Sequence, residues 1–169
     1  MPEIFVISDT HFGHENIIKY CGRPFKNAEE MNWELVKRWN SVVTPQDKVY
    51  HLGDVHMGGK SRGQIDQVLS ALNGHKRLIL GNHDNGKDQL LLKHFEKILM
   101  WRAFKEFGLL LTHAPVHEST LQFGKFTAVN VHGHIHQNAS PKGPYKNVSV
   151  EAIDYTPINI KTLQEKKNA

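Results

Sequence analysis

Cysteine occurs once in the 169 residues, as Cys21. No intramolecular disulfide can form, and a structural zinc of the Cys₄ or Cys₂His₂ kind is excluded. A reducing cytoplasm is the expected compartment. Long apolar runs are missing too: none approaches the ~20 residues that span a bilayer, so no membrane partner is expected. Met1-Pro2-Glu3 leads straight into a strand-like segment, without the charged and apolar regions of a signal peptide. No stretch of five like charges occurs, and Lys166-Lys167 reads as a solvated tail. There is no internal repeat, low-complexity tract or linker, which leaves residues 1–169 as one domain.

What is present is ordinary in bulk. A hydrophobic share of 39% and a charged share of 22% suit a globular chain large enough to bury a core. The formal charge of +4 attracts a phosphate-bearing substrate, and equally any other anion. The unusual count is twelve histidines. Many of them gather in short segments: Asp9-Thr10-His11, Gly53-Asp54, Gly81-Asn82-His83-Asp84, Thr112-His113-Ala114 and Gly133-His134-Ile135-His136. Each segment follows a short apolar run.

Those runs read as strands. Ile4 to Ile7, Lys48 to Leu52 and Leu78 to Leu80 alternate with helical patterns. Asn27 with Glu30 forms a capping box before Met31, Leu35, Val36 and Trp39, which predicts a helix from Ala28 to Val42. Ser61-Arg62-Gly63-Gln64 opens a second helix carrying Ile65, Val68, Leu69 and Leu72 on one face, closed by Asn73-Gly74. Lys87 to Lys97 predicts a third. Beyond it the texture is mostly β, with strands expected over Ile98 to Phe107, Leu109 to Thr112, Phe126 to Val131 and Val148 to Ala152. Trp33, Trp39 and Trp101 fall at core-like positions. The expected fold is one α/β domain on packed sheets.

Turns after strands lift their side chains to the carboxyl edge of a sheet. Asp9 and His11 are two residues apart, as are His134 and His136, so persisting strand geometry would point each pair one way. Gly53, Gly81 and Gly133 would let the backbone turn sharply and approach a bound group. Carboxylates with neutral imidazoles suit Mn²⁺, Fe or Zn²⁺ better than Mg²⁺ or Ca²⁺. The set is too large for one ion and suits two. Two cations about 3.5–4 Å apart clamp the oxygens of an in-line displacement and acidify a water between them, the arrangement phosphoester hydrolysis most needs.

The ordered set DxH, GD, GNHD, H and GHxH resembles the calcineurin-like metallophosphoesterases over Asp9 to His136. The opening Ser8-Asp9-Thr10-His11-Phe12-Gly13-His14, with Cys21-Gly22-Arg23-Pro24-Phe25 downstream, is similar to compact single-domain members of bacteria and phages. The resemblance implies two packed β-sheets flanked by helices. It implies one metal held by Asp9, His11, Asp54 and His136, and a second by Asp54, Asn82, His113 and His134, with Asp54 bridging. The ions would be divalent, with manganese favoured over iron, zinc, nickel or magnesium. His83 would act beside the leaving group, while a hydroxide bridging the ions attacks phosphorus in line. Met57 and Gly58 stand where the protein-phosphatase branch carries the Asp and Arg of GDxxDR. A protein serine/threonine phosphatase is therefore not expected, and His83 lacks that branch's orienting Asp.

Other residues have two readings each. His14 is a candidate substrate contact or a cap for the Glu15-Asn16-Ile17-Ile18 turn. Arg23 is a candidate phosphate fork or a surface ion-pair member. His56 and His132 either support the ligands or simply pack, and Lys60 and Arg62 line a groove or a solvated face. His51, His75, His94 and His117 read as satisfied polar side chains. The expected function is a two-metal phosphodiesterase acting on a phosphate ester, with nucleotide or nucleic-acid diesters as candidates. A non-catalytic scaffold is the alternative from another class, and a phosphomonoesterase or nuclease the alternatives within catalysis.

Overall fold

In the computed structural model, which describes residues 1–57, 59 and 61–164, strand and helix alternate through the first half of the chain. Gly58, Lys60, Lys166 and Lys167, on which expectations were placed, lie outside the described residues. The order is β1 (Ile4–Ile7), α1 (Glu15–Cys21), α2 (Ala28–Val42), β2 (Lys48–His51), α3 (Arg62–Ala71), β3 (His75–Ile79), α4 (Gln89–His94) and β4 (Lys97–Leu99). Then come β5 (Arg102–Phe104), β6 (Leu109–Leu111), β7 (Gln122–Phe123), β8 (Phe126–Thr127), β9 (Val129–His132), β10 (Tyr145–Asn147) and β11 (Ile158–Asn159). One sheet runs β11-β1-β2-β3-β4, parallel except for β11, a second runs β10-β9-β6-β5, with β5 antiparallel, and β7 pairs with β8 in a two-stranded ribbon.

The first sheet is covered on both faces at its centre, which is why β1 is apolar without alternation. Phe5, Ile7, Val49 and Leu78 pack against Met31, Leu35 and Trp39 of α2 and Ile65, Val68 and Leu69 of α3. Val6, Tyr50, Leu52 and Ile79 point the other way, onto Phe104, Leu109, Leu111, Val129 and Val131 of the second sheet. Each such side chain contributes about 1.5–3 kcal/mol over leaving it exposed. The protein is thus a mixed α/β fold of two packed sheets with helices flanking the first. The outer face of the second sheet is covered by Leu121, from the short 3₁₀ turn Glu118–Leu121, over Leu110 and Ala128.

Helix α2 begins and ends where its pattern predicts, and Asn27 accepts the Glu30 N–H at 2.8 Å. Elsewhere the structure corrects the pattern. Ser61 makes no side-chain cap bond. The helix expected from Lys87 stops at His94, because Phe95 turns extended and Lys97–Leu99 joins β3 as a strand. The long strand expected from Ile98 divides into β4 and β5, which belong to different sheets. Met100 and Trp101 carry the crossing at the edge and stay exposed, so Trp101 is not core. Trp33 faces solvent beside the buried stripe of α2, and only Trp39 of the three tryptophans is interior. Finally, Val150–Ala152 is a 3₁₀ turn rather than strand.

Candidate metal centre

Every candidate segment leaves the carboxyl end of a strand: β1, β2 and β3 in one sheet, β6 and β9 in the other. The backbone then does something strand geometry does not provide. Asp9, His11, Asp54, His134 and His136 all have φ between 50° and 71°, the left-handed region that non-glycine residues avoid. Such positions cost about 1–3 kcal/mol each and persist only where the surroundings enforce them. Shared strand direction therefore does not unite these pairs; alternate left-handed residues do. Of the glycines, only Gly53 combines a positive φ (103°) with this role. Gly81 and Gly133 are needed for close approach instead: a Cβ at Gly81 would strike the Asp54 carboxylate, and one at Gly133 would strike Ser8 and Asp9.

Two clusters result from these segments, Asp9–His11–His136 and Asp54–His113–His134, each with ligand-type atoms within 4.8 Å of one another, and a third group, Cys21–His136–Glu151, shares His136 with the first. Asp54 Oδ2 lies 3.7 Å from His11 Nε2 and 3.4 Å from His113 Nε2, so it faces both. Asn82 Oδ1 joins the second cluster, 2.9 Å from His113 Nε2 and 2.9 Å from His134 Nδ1. His113 donates Nδ1–H to the Leu52 carbonyl at 2.7 Å, which turns Nε2 towards those oxygens. Asp9 Oδ1 and both ring nitrogens of His11 are buried with no hydrogen-bond partner among the described residues. Converging, unpartnered lone pairs of this kind fit a divalent cation better than they fit each other.

The electrostatics agree. Burial works to raise the Asp54 carboxyl, but the hydrogen bond and charge of His113 hold it down at about 2. Burial pushes His11 down to about 3, so it stays a neutral imidazole. Burial also raises Asp9. His113 rises despite its own burial because Asp54 and Asp9 face it. The acidic field that draws a proton to His113 is the field that attracts a cation, and the two compete.

His83 donates its backbone N–H to Asp54 Oδ1 at 2.9 Å, and its exposed ring lies 5.7 Å from that of His11. No hydrogen bond from the His83 ring reaches another described residue, in keeping with the missing orienter. His14 is half-buried with its ring 5.4 Å from that of His11; it stands at the start of α1 but makes no cap bond. Arg23 is the correction. Its guanidinium is turned inward, donating to the carbonyls of Asp9 (2.7 Å) and Thr10 (2.9 Å) and pairing with Glu151, so it is neither a phosphate fork nor a surface ion pair. His56 pairs with Asp88, and His132 lies against the Gly133 carbonyl and Ser140 Oγ.

Two supporting residues had no sequence signal, and a third had only a faint one. Glu151, on the 3₁₀ turn read as strand, meets His136 Nδ1 at 3.2 Å. Ser149 Oγ donates to Asp9 Oδ2 at 2.9 Å. Asp84 accepts the N–H groups of Asp54, Val55 and Gly81, tying the turn after β2 to the turn after β3. Its place in GNHD was the only hint of that role.

Comparison with known proteins gives concordant results. The family model of a calcineurin-like phosphoesterase superfamily domain matches residues 3–152. An uncharacterized protein of Methanocaldococcus jannaschii is 40% identical over 167 residues, 95% of this chain and 88% of that protein. The Gene 66 protein of Mycobacterium phage L5 is 40% identical over 86 residues, 50% of this chain and 41% of the phage protein. The crystal structure of a protein of unknown function from Aquifex aeolicus superposes with a TM-score of 0.76 at 29% identity, covering 96% of this chain and 98% of that one.

Proposed function

Since the chain belongs to the calcineurin-like phosphoesterase superfamily, we propose that it is a two-metal phosphodiesterase. Asp9, His11, Asp54 and His136 would hold one ion, and Asp54, Asn82, His113 and His134 the other. The observation that carries this is Asp54 Oδ2 facing His11 Nε2 on one side and His113 Nε2 on the other. Neutral imidazoles with carboxylates and one amide oxygen favour manganese, with iron, zinc, nickel and magnesium as competitors. When bound, the ions supply Lewis acidity and a water acidic enough to attack phosphorus at neutral pH.

The chain's own groups do the rest. Asp54 brings negative charge between the clusters and fixes the Gly81-to-Asp84 turn through the His83 N–H. His83 stands exposed at the rim, where its ring donates a hydrogen bond or proton to the departing oxygen. His14 contacts the substrate beside it. A diester is favoured over a monoester because the inward Arg23 offers no clamp for a dianion. Nucleotide or nucleic-acid diesters are the candidates, in keeping with the +4 charge. A complete ligand set argues against the non-catalytic scaffold.

The test is a hydrolysis panel on metal-stripped, manganese-reconstituted protein. It compares bis-aryl phosphate, aryl monophosphate, cyclic nucleotides and short oligonucleotides, with a chelator as control. Chelator-sensitive diester cleavage is expected. Turnover of none of them would favour the scaffold, and a monoester preference would remove the diesterase assignment.

A further inference from the structure

Behind one of the two clusters lies an ion pair that the proposed chemistry does not use. The Arg23 side chain is 0% exposed and that of Glu151 4%, and they meet at 2.7 Å. The same guanidinium grips the backbone of the Asp9-to-His11 turn through the Asp9 and Thr10 carbonyls. Glu151 Oε1 in turn meets His136 Nδ1, turning Nε2 towards the unpartnered Asp9 Oδ1, 4.0 Å away. One buried cation thus holds the backbone that carries Asp9 and leads into His11 and, through Glu151, orients the ring of His136. Among the described residues, neither Arg23 nor Glu151 hydrogen-bonds to Asp54, Asn82, His113 or His134. That second cluster has its own supports, the Leu52 carbonyl behind His113 and Asp84 behind the Asp54 turn.

A pair buried so deeply is a poor stabiliser, because desolvation offsets most of the Coulomb gain and apolar residues of like volume would serve the fold as well. Its geometry has a better use. A carboxylate on the far nitrogen of a ligating imidazole fixes the tautomer and makes the near nitrogen a stronger donor. A guanidinium fork supplies two directions of grip at once, which an ammonium does not.

We propose that Arg23 and Glu151 are positioning residues for the Asp9–His11–His136 metal site alone, so that removing them converts a two-ion centre into a one-ion centre in a chain that remains folded. This rests on the two-ion reading above.

The test titrates metal-stripped full chain with Mn²⁺, using calorimetry for stoichiometry and electron paramagnetic resonance to separate exchange-coupled from isolated ions. Wild type should take up two ions and show the coupled spectrum. Glu151→Gln keeps the shape and removes the charge; one site should weaken about 10–100-fold while the other is unchanged, leaving an isolated-ion spectrum. The double variant Arg23→Met/Glu151→Leu removes the pair without orphaning a charge. It should lose the same ion and keep the wild-type circular dichroism of the metal-free protein. Two ions bound normally in both variants would overturn the inference. So would loss of both ions together, or an unfolded double variant. A wild type that takes up fewer than two ions would overturn the two-ion reading, and this inference with it.

Discussion

At the residue scale, the left-handed backbone of Asp9, His11, Asp54, His134 and His136 ties strain to chemistry, since it aims side chains that an extended chain would scatter. His83 differs: it has no positive φ, and its ring has no hydrogen-bond partner among the described residues, so it should be separable from metal binding. His83→Ala is expected to keep both ions while turnover falls about 10²–10⁴-fold, the range for losing a general acid. Loss of an ion in that variant, seen by metal analysis, would make His83 a ligand instead. Asp54→Asn should lose metal and hydrolysis together; wild-type turnover with bis-aryl phosphate would refute the bridge. His51 offers a test without metal. Its Nδ1 accepts the Gly53 N–H at 3.1 Å, so Nε2–H donates to Thr10 Oγ1 at 2.9 Å, and the Thr10 hydroxyl donates in turn to the Val55 carbonyl. Burial pushes His51 down to about 3 from 6.5. The unfolded chain therefore binds a proton below pH 6.5 that the folded chain refuses, and stability falls as pH drops from 6.5 towards 3. The slope is at most ~1.4 kcal/mol per pH unit. Urea unfolding of metal-free protein across this window should show a shallower slope in His51→Gln, and an equal slope would mean His51 is protonated in the fold.

At the scale of elements, α2 was legible because everything that defines it is local. Asn27 caps it, the stripe of Met31, Leu35 and Trp39 faces the sheet, and no glycine or proline interrupts it. Asn27→Ala should therefore cost about 1 kcal/mol in chemical denaturation with no change in metal uptake. The elements that were misjudged are short and decided by partners. Lys97 is drawn out of the end of a helical pattern by backbone pairing of its strand with β3, and Met100-Trp101 steps between sheets although its composition suits a strand. Val150–Ala152 coils because the Val150 N–H reaches the Ser8 carbonyl, and that turn places Glu151 beneath His136.

For the whole molecule, the candidate site is a seam. Asp9, His11, Asp54 and Asn82 come from turns of the first sheet, whereas His113, His134 and His136 come from the second. Without metal the seam is held by the shared apolar layer and by contacts such as Ser8 with Ser149. Bound ions would cross-link the sheets, so metal should stabilise the protein by about 2.7 kcal/mol at a hundredfold excess over the dissociation constant. Differential scanning calorimetry should show a lower midpoint with chelator than with Mn²⁺, and no such difference in Asp54→Asn. No helix among the described residues is long and apolar enough to cross a membrane.

The sequence by itself determined the candidate donor set, its order after successive strands, the α/β alternation and the family, because residue type and hydrophobic period are written in neighbouring residues. Only the tertiary structure decided that Arg23 points inward, that Glu151 and Ser149 stand behind His136 and Asp9, and that the glycines at 81 and 133 make room for carboxylates. Those facts join residues from 13 to 140 positions apart, or hang on a few ångströms between backbones. Buried polar groups take whichever partner the packed chain brings within reach, and local pattern carries no record of which partner that is.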